Sequence, residues 1–187
     1  VLNQLIQKID SLLIGGAMAT AFLKAQHISV GCSPVSQEQV IKATEVLEYA
    51  RLRKVNLYLP EDVIVSDEKG QRTPRTVSIH QIATDEAIFD IGPQTSALFA
   101  DIIHEAKTVF WNGPVGWFEH QPFDQGSRAL AEAIANCPGF TVVGGGDTLL
   151  ATRGYESKIS HLSTGGGASL EFIEGTALPG ITALELS

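Results

Sequence analysis

The feature that most constrains this chain is a junction that recurs along it: an apolar, β-branched run ends in glycines, and a helical pattern starts directly afterwards. The junctions read IGGAMA (Ile14 to Ala19), DIGPQT (Asp90 to Thr95), WNGPVGWFE (Trp111 to Glu119), GGGDT (Gly144 to Thr148) and STGGGASLE (Ser163 to Glu171). In an open parallel sheet such turns gather at one crevice, where bare backbone N–H groups and helix N-termini can approach phosphate oxygens. A nucleotide site is the first expectation.

The pattern between the junctions supports a sheet covered on both faces. Leu2, Leu5, Ile6 and Ile9 share one face of a short helix. Ser11 to Ile14 reads as a strand and Gly15 to Ala25 as a helix of small residues. Ser36 and Gln39 have the spacing of a capping box, opening a helix that ends near Arg53. Val55 to Leu59 is the next strand, and residues 63–82 read as a small hairpin excursion around DEKGQRTPR. Alternation then resumes: strand to Ile91, helix Thr95 to Ala106, strand Val109 to Trp111, helix Gln125 to Asn136, and strand Phe140 to Val143. A helix after Asp147, strand Ile159 to Leu162 and a helix from Gly167 complete it. Continuous apolar strands alternating with helices predict an α/β domain over residues 1–187: a doubly wound, Rossmann-like, three-layer α/β/α parallel sheet. Such a sheet normally has one more strand and turn before the opening helix. The expectation is that this strand lies outside the sequence, in keeping with Met18 being the sole methionine.

A chain of 187 residues can bury roughly 70% of its unfolded surface in one core. Cys32 and Cys137 are far apart and outside any metal or redox spacing, which predicts ordinary thiols in a reduced, cytoplasmic protein. A net charge of -8 supplies no basic stripe, so nucleic acid and anionic membrane are not expected partners. The longest apolar stretch, Leu12 to Leu23, falls short of the ~18 to 20 residues of a membrane span.

Neither GxxxxGK[ST] nor GxGxxG is present, so the P-loop and dinucleotide fingerprints do not explain the glycines. In GGGDT, Gly144, Gly145 and Gly146 permit close backbone approach, and Thr148 adds a hydroxyl at a helix start. Asp147 either caps that helix or holds Mg²⁺ between carboxylate and phosphate; sequence leaves both open. Gly165, Gly166 and Gly167 leave N–H groups bare for a migrating phosphoryl group, or else make a tight crossover. Asn112 and Glu119 offer polar contacts to phosphate or ribose, and Pro114 stiffens the turn. Phe89 and the Gly15–Gly16 pair offer flat walls for a base, while Trp111, Trp117 and Phe118 serve equally well as packing. The five histidines show no paired ligand spacing, and no GxSxG elbow is present. None of the five turns carries Lys or Arg, so the cations of phosphoryl transfer are expected from elsewhere.

Together, GGAMATAFL, DIGPQT, WNGPVGWFE, GGGDT and STGGGASLE followed by ALPGITAL closely resemble the C-terminal, nucleotide-binding domain of phosphoglycerate kinase, over essentially the whole chain. The resemblance implies a monomeric, two-domain glycolytic enzyme that moves a phosphoryl group between 1,3-bisphosphoglycerate and MgADP, giving 3-phosphoglycerate and MgATP. The phosphoglycerate half is expected in an N-terminal domain outside this sequence. The resemblance assigns Gly15, Gly16, Phe89 and Trp117 to adenine, Glu119 to ribose, and Asn112 and Pro114 to the nucleotide phosphates. It also assigns Gly144, Gly145, Gly146 and Thr148 to the phosphates, Asp147 to magnesium, and Gly165 to Gly167 to the phosphoryl group in transit. Two departures stand out: the family's lysine-bearing GGAKVSDK-type segment is not in the sequence, and Trp117 replaces a small aliphatic residue. The chain alone is therefore expected to bind ADP or ATP without turnover. The alternatives are a stand-alone nucleotide-binding or interaction module, and an oxidoreductase, which the absent GxGxxG disfavours.

Overall fold

The structure, a computed structural model, describes residues 5–165. Strand β1 (Ser11–Leu13) leads through the glycine pair into helix α1 (Gly16–Ala25), and helix α2 (Gln37–Arg53) returns the chain to β2 (Asn56–Tyr58), parallel to β1 with Leu13 opposite Tyr58. The small residues of α1 let Phe22 and Leu23 bury almost completely, and Phe22 meets Ala43, Val46 and Ala50 of α2 in one apolar cluster. The capping box is formed: Ser36 Oγ accepts from the Gln39 N–H at 3.2 Å, and Gln39 Oε1 accepts from the Ser36 N–H at 2.8 Å. Lys54, in the left-handed region at φ 59°, ends the helix.

Strands β3 (Asp62–Ser66) and β4 (Arg75–Ser78) form the expected hairpin, but it is not an isolated excursion. Strand β5 (Ala87–Ile91) pairs antiparallel with the other edge of β3, giving the order β4-β3-β5. The reason lies in β3. All five of its residues are buried, so both of its edges need ladder partners. Helix α3 (Pro93–Glu105) follows, then β6 (Thr108–Asn112), helix α4 (Gln125–Ala135), β7 (Phe140–Gly144), the short helix α5 (Gly146–Ala151) and β8 (His161–Ser163). Strands β6, β7 and β8 form a parallel sheet in sequence order, covered by α3 and α4. Its core is Phe99 and Ile103 of α3, Leu130, Ala131 and Ile134 of α4, and Trp111 and Val143 from the sheet.

The class is thus α/β, with parallel strands linked through covering helices. This is the doubly wound, Rossmann-like α/β/α architecture expected from the alternation; among the described residues its strands fall into three ladders, with β5 in the antiparallel one. The crossover from β5 into α3 looks the same in sequence as the other crossovers. What differs is the strand beside it.

Candidate functional site

Four of the five glycine junctions are tied to one another in a row. At one end, the Gly16 N–H donates to the Val115 carbonyl at 3.0 Å, and Gly15 sits so close to the Val115 side chain that a methyl group there would overlap it. The β1–α1 turn therefore needs glycine because the turn after β6 lies against it. Asn112 is paired with Gly144 across the sheet, and the Gly113 N–H donates to Thr148 Oγ1 at 2.7 Å. Gly144 is in turn paired with Ser163, and the Gly145 N–H donates to the Ser163 carbonyl at 3.0 Å. Gly165 follows, its N–H 3.3 Å from Ser163 Oγ. Gly166 and Gly167, with the helix expected after them, lie outside the described residues.

Along this row the polar side chains face outward. Asn112, Glu119 and Asp147 are exposed, and nothing lies within 4 Å of the side-chain direction of Gly113 or Gly146. The cap at α5 is Gly145, with no side-chain hydrogen bond, so Asp147 does not cap the helix, and among the described residues its carboxylate has no hydrogen-bond or ion-pair partner. A single free carboxylate beside open space suits Mg²⁺, which takes one or two carboxylates and draws its remaining ligands from phosphate and water. No group of three or more His, Cys, Asp or Glu among the described residues forms a protein-only cage. Thr148 has a different place from that expected. It is 1% exposed, and its oxygen accepts from Gly113, so it binds two turns together.

Phe89 and Trp117 come together as expected, with Phe123 as a third ring. Centroids are 5.6 Å apart for Phe89–Trp117, 4.7 Å for Phe89–Phe123 and 6.1 Å for Trp117–Phe123, and His120 lies 3.8 Å from Trp117. The Trp117 N–H donates to the Phe89 carbonyl at 2.8 Å. Gly70, at the tip of the β3–β4 hairpin with φ 69°, packs against all three rings. The hairpin thus covers the aromatic end of the row, a contact that reading it as an excursion did not anticipate. Trp117 remains 39% exposed.

The fifth junction, DIGPQT, does not belong to the row. The N–H groups that would face an anion at the start of α3 are occupied by Asp62 of β3, which accepts from Gln94 at 3.0 Å and from the Thr95 N–H and hydroxyl at 2.7 Å each. Gly92 is required because a side chain there would overlap the Asp62 carboxylate. This turn is a capped helix start and not an anion site. Two surface cavities also lie apart from the row: about 350 Å³ between α2 and β2, and about 540 Å³ beside Glu61, His80 and Gln94.

Asp90, just before the DIGPQT glycine, is 1% exposed. Its Oδ1 accepts from the Ile91 N–H and its Oδ2 from the Gly126 N–H, each at 2.8 Å. Burial pushes its carboxyl up to about 7, against the pull of those two donors. An acid inside the apolar run AIFDI was the signal for it in the sequence.

The family model for phosphoglycerate kinase matches residues 1–176. The phosphoglycerate kinase of Desulfosudis oleivorans is 48% identical over 187 residues, 98% of this chain and 47% of that protein. That of Streptomyces coelicolor is 47% identical, with 99% of this chain and 48% of that protein covered. Among solved structures, phosphoglycerate kinase from Coxiella burnetii superposes with a TM-score of 0.92 at 44% identity, over 99% of this chain and 48% of that one. The enzyme from Pyrococcus horikoshii OT3 does so with a TM-score of 0.75 at 29% identity, over 98% and 48%. The chain spans about half the length of the curated relatives it matches.

Proposed function

This chain belongs to the phosphoglycerate kinase family, and from that premise we propose that it is the nucleotide-binding half of a phosphoglycerate kinase, acting in glycolysis. The observation that carries this reading is the laced row of turns, with Asp147 free and outward at its phosphate end.

The roles follow from position along the row. Gly15 and Gly16, with the Phe89–Trp117 ring pair, take the adenine, and Glu119 accepts from the ribose hydroxyls. Asn112, the rigid turn at Pro114, and the backbone of Gly144, Gly145 and Gly146 line the phosphates. Thr148 fixes the spacing between the two phosphate-lining turns. Asp147 would hold Mg²⁺, which when bound neutralises charge on the nucleotide phosphates. The proposed reaction makes a bond from a terminal phosphate oxygen of ADP to the phosphorus of an acyl phosphate and breaks the bond to the carboxylate oxygen. The Gly165 to Gly167 turn would receive the phosphoryl group between the two. Lys and Arg are absent from these turns, so this chain alone is expected to bind MgADP without catalysing transfer.

Calorimetric titration of MgADP into the wild-type chain and Asp147→Ala tests the reading, after circular dichroism confirms that both are folded. The expected result is binding that weakens at least about tenfold in the variant, the scale of a lost charged contact. Equal binding by both proteins would remove Asp147 from the site, and no binding by a folded wild type would refute a self-sufficient nucleotide site.

A further inference from the structure

We propose that Asp90 is the positioning residue of the nucleotide site: it fixes the turn carrying Pro114, Trp117 and Glu119 to β5 and α4, and its carboxylate form holds that turn in the binding geometry. This rests on the nucleotide reading of the row.

The geometry is specific. The carboxylate lies between Gly116 of the turn and Gly126 of α4, and a methyl group on either glycine would overlap it. It accepts from Gly126 on one side and Ile91 on the other. The turn is held beside it by two further bonds, Trp117 N–H to the Phe89 carbonyl at 2.8 Å and Val115 N–H to Ser127 Oγ at 3.0 Å. The Phe89 carbonyl and the Ser127 hydroxyl thus hold the residues on either side of Gly116, while the Asp90 carboxylate, bonded to Ile91 and Gly126, lies directly against Gly116 itself. Both N–H donors favour the ionised acid, because a carboxylate accepts more strongly than a carboxylic acid. Asp124 at the start of α4 is the charged group that acts on Asp90, and it is paired with Arg128 at 2.5 Å. Other titratable groups on the packed elements include Glu119 and His120 of the turn, Lys24 of α1 and Glu132 of α4, all exposed, and Asp62 of β3, which is tied to α3. Protonation removes charge from the centre of this grip. The turn then loosens, and nucleotide binding weakens below neutral pH.

The test uses the isotope-labelled full chain, the Asp90→Asn variant and MgADP. In the wild type, the amide resonances of Gly126 and Ile91 are expected to titrate with a midpoint near 7, and those of Gly116 and Trp117 to follow with the same midpoint. In Asp90→Asn all four should lose that transition. MgADP should bind the variant about tenfold more weakly than the wild type above neutral pH, with the ratio narrowing below it. Taking the ratio cancels the titration of the nucleotide's own phosphate. A folded variant whose Gly116 and Trp117 amides do not move, or a ratio that stays flat with pH, overturns the inference. If Asp90→Asn does not fold, the wild-type titration decides: Gly116 and Trp117 must share the Gly126 midpoint, and a different midpoint or none overturns it. If the wild type takes no MgADP, the nucleotide reading fails, and the amide titration alone decides whether Asp90 positions the turn.

Discussion

Asp90 gives the clearest link from a single residue to a measurable property. Its carboxyl is raised from 3.8 to about 7, so the folded chain holds the proton more tightly than the unfolded chain between those values. The stability from this group is therefore fully present below about 4 and is lost as pH rises through about 7. The difference in unfolding free energy between the wild type and Asp90→Asn should change by up to about 1.4 kcal/mol per pH unit within that window. Urea unfolding of both proteins at several pH values checks this, and a constant difference would contradict it. The form that grips the turn best is the form that costs stability, a trade common at sites built for binding. Asp147 is the contrasting case. Sequence left it between helix cap and metal ligand, and the structure removes the cap by placing Gly145 in that position.

At the scale of elements, the glycine turns and most boundaries were legible, because hydrophobic period and capping chemistry act over a few residues. Ser36 and Gln39 are a plain instance: their pairing is written in a local spacing, and it formed. The DIGPQT turn was misread for the opposite reason. Its N–H groups are taken by Asp62, more than thirty residues earlier, and no local pattern announces a cap supplied by another strand. The same holds for the hairpin, whose second partner β5 follows a polar connection, and for Gly70, whose aromatic neighbours all come from later segments. Asp62→Ala should uncap α3 and leave the Gln94 and Thr95 N–H groups without their acceptor, while the Thr95 hydroxyl keeps the backbone carbonyl of residue 62. The expected cost is about 2 kcal/mol, at the upper end for a cap because the site is buried. Chemical denaturation measures it, and a loss within about 0.5 kcal/mol, the range of an ordinary surface change, would contradict the role.

On the scale of the whole molecule, four turns from distant parts of the chain are tied into one surface. Sequence gave each turn its chemistry but not its neighbours; the ties Gly16–Val115, Gly113–Thr148 and Gly145–Ser163 come only from the fold. They join the row through backbone and hydroxyl contacts and leave Asn112, Glu119 and Asp147 exposed. The described residues contain no helix long and apolar enough to cross a membrane, and the cavities beside α2 and Gln94 are alternative locations for a small molecule. Mapping amide chemical-shift changes on the full chain as MgADP is added tests whether the four turns form one nucleotide site. The changes are expected to gather at Gly15–Gly16, Asn112–Glu119 and Gly145–Thr148 and to leave Asp62 and Gln94 unmoved. Saturable changes centred on either cavity, with the glycine row silent, would contradict it.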